Sequence, residues 1–321
     1  MPHGQVLGVD LGGTKLLALL VGPGGTPGEE MMMPSPRNGE ELVAAVALAA
    51  GELCKGAPEA IGVGIPGLVD VAGAIRFAPN LKGVGGLQLR DAIAGLFGNV
   101  VTWAGNDATA ACWAEHASAE GAATGSGEVV MVTLGTGIGG GMISGGRLVE
   151  GQHRYAGELG HMVVDPDGPE CPCGRRGCWE RFASGDALGV AAREAAIAGR
   201  APALVELAGG DPTVVRGEHA TTAASRGDID ALRIIGEFAR WVSLGLANLA
   251  NMLDPEVIVV GGGLVEAGDV LLDPVRRAFA EMVEAPTARA DLRIVGAALG
   301  NRAGAIGAGM LAAAAKTRAR N

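Results

Sequence analysis

The feature that most restricts the fold is a pattern that occurs twice: an apolar strand, a short glycine turn and a second apolar strand. The first copy reads QVLGVD at 5–10, LGGTK at 11–15 and LLALLVG at 16–22, and the second lies within EVVMVTLGTGIGGGMISGGRLV at 128–149. Glycine lets the backbone come close to a ligand, so that amide N–H groups can hold phosphate. Two such units predict two related α/β lobes that close over one nucleotide.

The first glycine turn carries further groups that suit phosphate and magnesium. Thr14 adds a hydroxyl beside Gly12 and Gly13, and Asp10 supplies a carboxylate. The turn is not a P-loop, because no Gly-Lys-Ser/Thr sequence opens a helix here. A bare hairpin turn without a function is the alternative interpretation.

Two matches to G-x-G-x-x-G, at 62–67 and 135–140, resemble dinucleotide fingerprints but lack the right context. The residues after each match read as strand and turn rather than as the helix that would receive a pyrophosphate. A third glycine motif, EVIVVGGGL at 256–264, reads as a buried strand whose glycines would let a base or ribose lie against the backbone. A plain turn into the helix at 269–284 is the alternative for this motif.

One imidazole and three thiols fall within a loop-sized stretch, at His161, Cys171, Cys173 and Cys178. Zinc prefers four tetrahedral nitrogen or sulfur ligands, and a site closed by four protein ligands is structural. The tight turns of such a loop would come from Pro172, Gly174 and Gly177. A disulfide or idle thiols are the alternative. Metal binding is favoured because Cys171 and Cys173 are too close to bridge comfortably, five cysteines leave one over and no export signal is recognisable.

Three carboxylates are candidates for substrate contacts. Glu158 and Glu180 flank the metal ligands, so an anchored loop would also position them, although a solvated loop charge is the alternative for each. The second ring nitrogen of a metal-bound histidine donates in a direction that the metal fixes, and for His161 we expect it to donate to a substrate. Asp107 stands between the strand NVVTWAG and a helix, so it is either an N-cap or a carboxylate at the sheet edge where ligands bind. Both roles stay open.

Length and composition favour two aliphatic lobes. The chain has 321 residues, of which 48% are hydrophobic and only 3% aromatic, so its core must be filled by Ala, Val, Leu and Ile. The net charge of −10 argues against a surface that holds nucleic acid or an anionic membrane. The N-terminus lacks the features of a signal peptide, and the apolar runs at 241–253 and 303–315 are too short to span a bilayer. We therefore expect a soluble cytoplasmic protein.

Helical periodicity predicts the main helices around these motifs. They are expected at 38–55, 87–97, 108–117, 184–199, 228–252, 269–284 and 303–316.

Taken together, the motifs resemble those of the ROK sugar kinases, a family within the sugar kinase, heat-shock and actin-like fold. The resemblance covers nearly the whole chain, from Gly8 to about Ala315. It rests on DLGGTK at 10–15, GIPG at 64–67, APNL at 78–81, ND at 106–107, LGTGIGGG at 134–141, GELGH at 157–161, CPCGRRGCWE at 171–180 and VVGGGL at 259–264. Their joint order and spacing make the resemblance specific.

The resemblance implies an α/β protein with the two-lobed actin-like, or ribonuclease H-like, fold and a ligand cleft between the lobes. The small lobe would comprise residues 1–106, completed by a C-terminal helix at about 301–321. The large lobe would comprise residues 107–300 and carry the zinc-binding loop at 161–180. Family members are commonly dimers or tetramers, so the resemblance also implies a homodimer or homotetramer.

The resemblance further implies ATP-dependent phosphorylation of glucose to glucose 6-phosphate, with Mg²⁺ and a structural Zn²⁺. Asp107 would be the general base. The sugar would be held by Asn80, Asn106, Asp107, Glu158, His161 and Glu180, and the zinc by His161, Cys171, Cys173 and Cys178. The nucleotide would be bound by Gly8, Asp10, Gly12, Gly13, Thr14, Lys15, Gly135, Thr136, Gly137, Gly139, Gly140, Gly261, Gly262 and Gly263.

Other functions stay open at this point. The sugar could be mannose, N-acetylglucosamine or fructose, and polyphosphate could replace ATP. ROK relatives also include sugar-responsive transcription repressors with a helix-turn-helix domain ahead of the first glycine motif, but here Asp10 is only ten residues in and no basic recognition helix precedes it. A zinc-finger-like binding module would explain the cysteines but leaves both glycine turns without a role.

Overall fold

The computed structural model describes residues 5–79, 81 and 83–320, and within them strands and helices alternate along the chain. The strands are β1 (Val6–Leu11), β2 (Lys15–Val21), β3 (Pro27–Pro34), β4 (Ala60–Ile65), β5 (Leu68–Val69), β6 (Ile75–Phe77), β7 (Val101–Asn106), β8 (Val129–Leu134), β9 (Ile138–Ser144), β10 (Arg147–Leu148), β11 (Val257–Gly261) and β12 (Arg293–Gly296). The helices are α1 (Gly39–Leu53), α2 (Leu89–Leu96), α3 (Asp107–Ala117), α4 (Glu180–Ala183), α5 (Gly185–Ile197), α6 (Pro202–Leu207), α7 (Gly217–Ser225), α8 (Ile229–Leu253), α9 (Asp269–Met282) and α10 (Ala303–Arg320). The predicted α/β class is confirmed.

The two large sheets have the same strand order. The first is ordered β3-β2-β1-β4-β7 and the second β10-β9-β8-β11-β12. When the strands of each sheet are numbered along the chain, both orders become 3-2-1-4-5. In both sheets the first, fourth and fifth strands run parallel, as β1-β4-β7 and β8-β11-β12. The two strand and glycine-turn units recognised in the sequence are therefore the matching first two strands of each sheet.

The chain divides into two compact units. Unit 1 comprises Met1–Gly127, Gly141–Gly157 and Ala298–Asn321, and unit 2 comprises Glu128–Gly140 and Glu158–Ala297. The lobe boundary expected from the sequence, at 106/107, lies before this division, and in the structure helix α3 belongs to unit 1. No helix in the described part of the chain combines the length and the apolar character needed to cross a bilayer.

In unit 1, helix α10 packs directly on the sheet because glycines face it. A Cβ added to Gly8 in β1 would lie 1.9 Å from the Ala305 carbonyl oxygen, and one added to Gly62 in β4 would lie 1.9 Å from the Ala308 carbonyl oxygen. Such distances leave no room for a side chain, so both glycines are required for helix–sheet packing. The opposite face is covered by α1, whose Leu42 and Val46 belong to the buried apolar core.

A buried carboxylate fixes the start of α10. Glu115, on α3, is fully buried and accepts hydrogen bonds from the backbone N–H groups of Ala122, Ala298 and Leu299 at 2.8–3.1 Å. Three backbone donors compensate the cost of burying this charged group. Glu115 thereby holds the chain a few residues before α10 begins at Ala303, so it helps to place the helix start on the sheet.

One strand of the first sheet was not predicted. Strand β3 reads PGEEMMMP and pairs antiparallel with β2 at the sheet edge. Proline at both ends and two adjacent glutamates hide the usual alternation of a strand, and proline is tolerated there because an edge strand leaves one side unpaired.

Candidate active site

Two carboxylates mark the end of the parallel strands in unit 1. Asp10 lies near the end of β1 and pairs in register with Gly64 of β4, while Asp107 follows β7 directly. A Cβ added to Gly64 would lie 3.2 Å from the Asp107 Cα and 3.6 Å from the Asp10 Oδ1. The first glycine of the GIPG motif therefore lies beside both acidic residues and leaves room for them.

Asp10 has an unusual environment. Its Oδ1 is buried and has no hydrogen-bond partner among the described residues. Burial, and then the nearby negative charge of Asp107, raise the pKa of Asp10 from 3.8 to about 8. An orphaned carboxylate oxygen next to a second carboxylate is a donor set that suits Mg²⁺, which prefers oxygen ligands. The carboxylate oxygens of Asp10 and Asp107 therefore fit the magnesium site predicted from the sequence.

The start of α10 confines the Asp10 carboxylate. A Cβ added to Gly304 would lie 2.5 Å from the Asp10 Oδ2 and 2.6 Å from its Cγ. Gly304 belongs to the first turn of α10, so the carboxylate lies against the helix N-terminus. The unsatisfied N–H groups at a helix start favour negative charge nearby.

The structure decides which residue caps α3. The side chain of Asn106 accepts a hydrogen bond from the Thr109 N–H at 2.9 Å, so Asn106 is the N-cap. The N-cap interpretation of Asp107 is therefore wrong. Asp107 is the first helical residue, half-buried, and its Oδ1 accepts from the Ala108 N–H at 2.8 Å. Asn106 also donates through Nδ2 to the Gly67 carbonyl at 3.3 Å, which fixes the amide that was predicted to contact the sugar.

The first glycine turn is closed by its own hydrogen bond and held by β3. The Gly12 N–H donates to the Lys15 carbonyl at 2.8 Å. Just after β3, Ser35 donates its N–H to the Thr14 carbonyl at 3.0 Å and its Oγ–H to the Gly12 carbonyl at 2.7 Å. Gly13, Thr14 and Lys15 are exposed.

A pocket of about 320 Å³ opens beside this turn, lined by Leu11, Gly12, Gly13, Ser35, Pro36, Arg37, Pro66 and Leu81. Gly8, which was also predicted to contact the nucleotide, has no such exposed position on the turn. Gly8 lies within β1 against α10, so its packing gives a sufficient reason for a glycine there. Asn80 lies outside the described residues.

In unit 2, the four predicted zinc ligands converge. One donor atom from each of His161, Cys171, Cys173 and Cys178 lies within 4.8 Å of the others. The Cys173 and Cys178 sulfurs are 3.5 Å apart, and the Cys171 sulfur is 3.8 Å from the His161 Nδ1. Zn–S bonds of about 2.3 Å place tetrahedral sulfurs about 3.8 Å apart, so the donor set fits zinc. All five cysteines are thiols, so no disulfide competes with this arrangement.

Turn geometry and a buried tryptophan hold this loop. Gly174 and Gly177 adopt positive φ angles of 87° and 68°, as the predicted tight turns require. Trp179 is fully buried and donates its Nε1–H to the Trp241 carbonyl on α8 at 2.7 Å. A Cβ added to Gly245 would lie 2.0 Å from the Trp179 ring, so the loop packs tightly on α8.

The two nitrogens of His161 face different partners. The Nδ1 points to the cysteines and lies 3.5 Å from Glu180 Oε1, while the Nε2 lies 3.8 Å from Glu158 Oε2. Glu180 Oε1 also accepts from the Cys171 thiol at 3.0 Å. Burial raises the pKa of Glu158, an effect that the positive charge of His161 opposes and the negative charge of Glu180 reinforces. A metal on Nδ1 would leave Nε2 and Glu158 together for a ligand, as the sequence predicted.

The second glycine turn is tied together within unit 2. The Gly135 N–H donates to the Gly137 carbonyl at 3.0 Å, and the Gly139 N–H donates to the Thr133 Oγ1 at 3.2 Å. The third glycine motif packs on the same turn, because a Cβ on Gly262, whose φ is +83°, would lie 2.5 Å from the Leu134 carbonyl oxygen. The neighbouring position on Gly263 is open. Thr136 and Gly140 are the other residues of this turn that the sequence predicted to contact phosphate.

Several residues that shape these sites were not predicted as site residues. Gly304, Ser35, Trp179 and Gly245 act through contacts with residues distant in sequence, and no local pattern marks them. Gly64 was visible as part of the GIPG motif, although its position beside Asp10 and Asp107 was not.

The duplicated sheets, each with a glycine turn after its first strand, define the actin-like class of two-lobed α/β proteins. Residues 6–315 match the ROK family. The chain belongs to the ROK family, and the resemblance inferred from its motifs is confirmed.

Individual relatives are similar over most of their length. The glucokinase of Streptomyces coelicolor is 38% identical over 313 residues, which cover 96% of this chain and 98% of the relative. The N-acetylmannosamine kinase of Shigella flexneri is 35% identical over 266 residues, covering 81% of this chain and 84% of the relative. A ROK family glucokinase from Streptomyces griseus, crystallised with glucose and AMPPNP, superposes with a TM-score of 0.88 at 38% identity, covering 97% of this chain and 100% of that one.

Proposed function

We propose that this protein is an ATP-dependent glucokinase that transfers the γ-phosphoryl group of ATP to the 6-hydroxyl of glucose. The near full-length similarity to the Streptomyces glucokinases, one of them bound to glucose and an ATP analogue, supports this activity and its substrates. The observation that carries the chemistry is the pair formed by Asp10 and Asp107 at the end of β1 and β7. A carboxylate at the carboxyl edge of a parallel sheet is placed where α/β proteins bind ligands.

Asp107 is the proposed general base. A sugar hydroxyl is a poor nucleophile, and a carboxylate that accepts its proton as the O–P bond forms contributes roughly 10²- to 10⁴-fold in rate. Asp107 suits this role because it is half-buried, directly follows β7 and lies beside Asp10 at the end of the parallel strands.

Asp10 is the proposed contact for magnesium. Its buried Oδ1, which lacks a protein partner among the described residues, would gain one from the ion or from its bound water. When bound, Mg²⁺ supplies charge neutralisation on the phosphoryl group in transfer. The amides of both glycine turns would hold the remaining phosphate oxygens. The proposed nucleotide contacts are Asp10, Gly12, Gly13, Thr14, Lys15, Gly135, Thr136, Gly137, Gly139, Gly140, Gly261, Gly262 and Gly263.

The sugar is proposed to bind through carboxylates and the free face of His161. Glu158 and Glu180 would accept from sugar hydroxyls, and an analogue that lacks one hydroxyl would leave unpaired an acceptor from which the bound sugar excludes water. Asn80 and Asn106 would add amide contacts. A structural zinc on His161, Cys171, Cys173 and Cys178 would hold the loop that carries these groups.

A coupled assay across sugars and phosphoryl donors tests the proposed activity. We expect glucose with ATP to give the highest kcat/KM among glucose, mannose, fructose, N-acetylglucosamine and N-acetylmannosamine, each offered with ATP or polyphosphate. N-acetylmannosamine is included because a relative with 35% identity is named for it. A higher kcat/KM for another sugar, or for polyphosphate, would replace glucose or ATP in the proposal. Absence of turnover with every pair would remove the kinase assignment.

The cellular location, the oligomeric state and the lack of DNA binding are also proposed. The use of ATP and the family resemblance favour a cytoplasmic glycolytic enzyme, a homodimer or homotetramer, without nucleic acid as a partner. Light scattering after size-exclusion chromatography measures the oligomer directly, and a gel-shift assay with genomic DNA fragments checks the expected lack of DNA binding.

A further inference from the structure

The loop that carries the zinc ligands also holds the second glycine turn. We define the metal loop as residues 158–185 and the second glycine turn as residues 135–140, both of which lie in unit 2. The two segments touch at both ends of the metal loop. No contact of this kind follows from the sequence motifs, which place the zinc and the phosphate-binding turn in separate stretches.

The first contact lies at the histidine end of the metal loop. A Cβ added to Gly160, the residue before His161, would lie 2.3 Å from the Ile138 carbonyl oxygen. A Cβ added to Gly140 would lie 2.4 Å from the Leu159 Cδ1. Because the Gly160 contact is with a backbone oxygen, these two segments of the chain lie at van der Waals distance. Neither segment can shift independently of the other.

The second contact lies at the cysteine end. The Gly185 N–H donates to the Gly135 carbonyl at 2.7 Å, and a Cβ on Gly185 would lie 2.8 Å from that oxygen. Glu180, which touches the Cys171 thiol, has its Oε2 2.7 Å from the position that a Cβ on Gly137 would occupy. The glycine turn is thus held on either side of the metal ligands.

The metal loop has little freedom to yield on its other side. Trp179 is fixed against α8 by its hydrogen bond to Trp241 and by its close packing on Gly245. A shift of the metal loop near His161 or Cys178 should therefore also shift the second glycine turn. The reason is that closely packed backbone segments move together rather than deforming separately.

We infer that the metal ion on His161, Cys171, Cys173 and Cys178 sets the nucleotide affinity of the second glycine turn, independently of the sugar. The inference rests on the proposed function in one respect, namely that this turn binds the phosphates of ATP. By thermodynamic linkage, nucleotide binding must then strengthen metal binding by the same factor.

The experiment measures nucleotide affinity without any sugar. The dissociation constant of magnesium AMPPNP is determined by titration calorimetry for the zinc-loaded protein, for the protein after chelation and for the protein after zinc is restored. We expect chelation to raise the dissociation constant by about fivefold or more, the lower range of measured couplings between sites, and restored zinc to reverse it. Metal content is measured on each sample by mass spectrometry, and circular dichroism checks that the chelated protein is folded.

A matched pair of variants tests the same coupling with the metal kept. In Gly185→Ala the new Cβ presses on the Gly135 carbonyl, so we expect full zinc content and a several-fold higher nucleotide dissociation constant. In Gly189→Ala, on the same helix, the nearest atom to the new Cβ is 3.5 Å away, at Gly217 N, so we expect the wild-type constant. If chelation unfolds the protein, this pair decides the question alone.

An unchanged dissociation constant in both the folded chelated protein and Gly185→Ala would overturn the inference. Failure of the proposed function would look different, since the zinc-loaded protein would then bind no magnesium AMPPNP at all or would not phosphorylate any sugar.

Discussion

The two glycine turns occupy the same place in two sheets of the same order, yet their chemistry differs. Asp10 of the first sheet pairs with Gly64, and at the matching position of the second sheet Thr133 pairs with Gly261. Asp10 is half-buried, and its buried Oδ1, which has no hydrogen-bond partner among the described residues, lies near Asp107. Thr133 is a neutral residue that accepts a hydrogen bond from Gly139 within its own turn. The repeated scaffold therefore places a carboxyl group at this position of the first sheet and a hydroxyl group at the matching position of the second.

The two turns are also held in different ways. The first is held by Ser35, which follows the neighbouring edge strand of the same sheet. The second is held by the metal loop, through backbone contacts at Ile138 and Gly135. The comparison teaches that the same turn can be held by a strand of its own sheet or by a separate loop. On the proposed function, the first turn lies beside the reacting carboxylates, and the second provides a binding surface that the metal loop supports.

The largest expected effect comes from a substitution of the proposed base, Asp107, at the end of the first sheet. Asp107→Asn removes the proposed base, so we expect kcat to fall by roughly 10²- to 10⁴-fold while the affinity for glucose is largely kept. Steady-state kinetics and glucose titration measure the two quantities. Asp91→Asn, an exposed carboxylate in the same unit, should leave both unchanged. Near-normal turnover of Asp107→Asn would remove the base assignment and with it the contrast between the turns.

The next effect concerns the metal loop. Cys173→Ala removes one of four zinc ligands, so we expect the metal content to fall from about one per chain to near zero and the glucose KM to rise, because Glu158 and Glu180 lose their support. Cys54→Ala, a buried thiol outside the cluster, should keep the metal. If the metal-free variant showed an unchanged glucose KM, the geometry of the sugar-binding loop would not depend on zinc.

The Asp10 environment predicts a pH-dependent stability. The pKa of Asp10 is about 8 in the folded protein and 3.8 for an ordinary, solvated aspartate, so between these values the folded state keeps a proton that the unfolded state releases. The free energy of unfolding should therefore decrease as pH rises through this window, by at most about 1.4 kcal/mol per pH unit for one proton.

Denaturant unfolding between pH 5 and 8, in buffer without magnesium, measures this dependence. Asp10→Asn should lack the Asp10 contribution and give a flatter profile than the wild type. Identical profiles for the two proteins would show that burial and Asp107 do not hold the proton on Asp10.

The smallest effects compare one side-chain hydrogen bond in each glycine turn. Ser35→Ala and Thr133→Ala each lose one hydrogen bond of about 1 kcal/mol within a glycine turn, so we expect about a fivefold rise in the ATP KM for each. The glucose KM should change little in both. A fall in kcat without a change in the ATP KM would mean that these hydroxyls do not act through the nucleotide.

The sequence predicted what is local and missed what depends on distant contacts. Both glycine turns, the main helices and the set of His161 and three cysteines were visible, because spacing along the chain determines them. For Asp107 the sequence left an N-cap and a sheet-edge carboxylate open, and only the hydrogen bond from the Thr109 N–H to Asn106 assigned the cap to Asn106. The room around Asp10 depends on Gly304, about 290 residues later, and the hold on the second turn depends on Gly185; neither contact leaves a local signal.

The most direct test of the account is a crystal structure of the protein with glucose and magnesium AMPPNP. The account predicts that a carboxylate oxygen of Asp107 lies within about 3.2 Å of the glucose 6-hydroxyl, a distance at which it can accept the proton. A structure in which that hydroxyl lies far from Asp107, or contacts a different base, would contradict it.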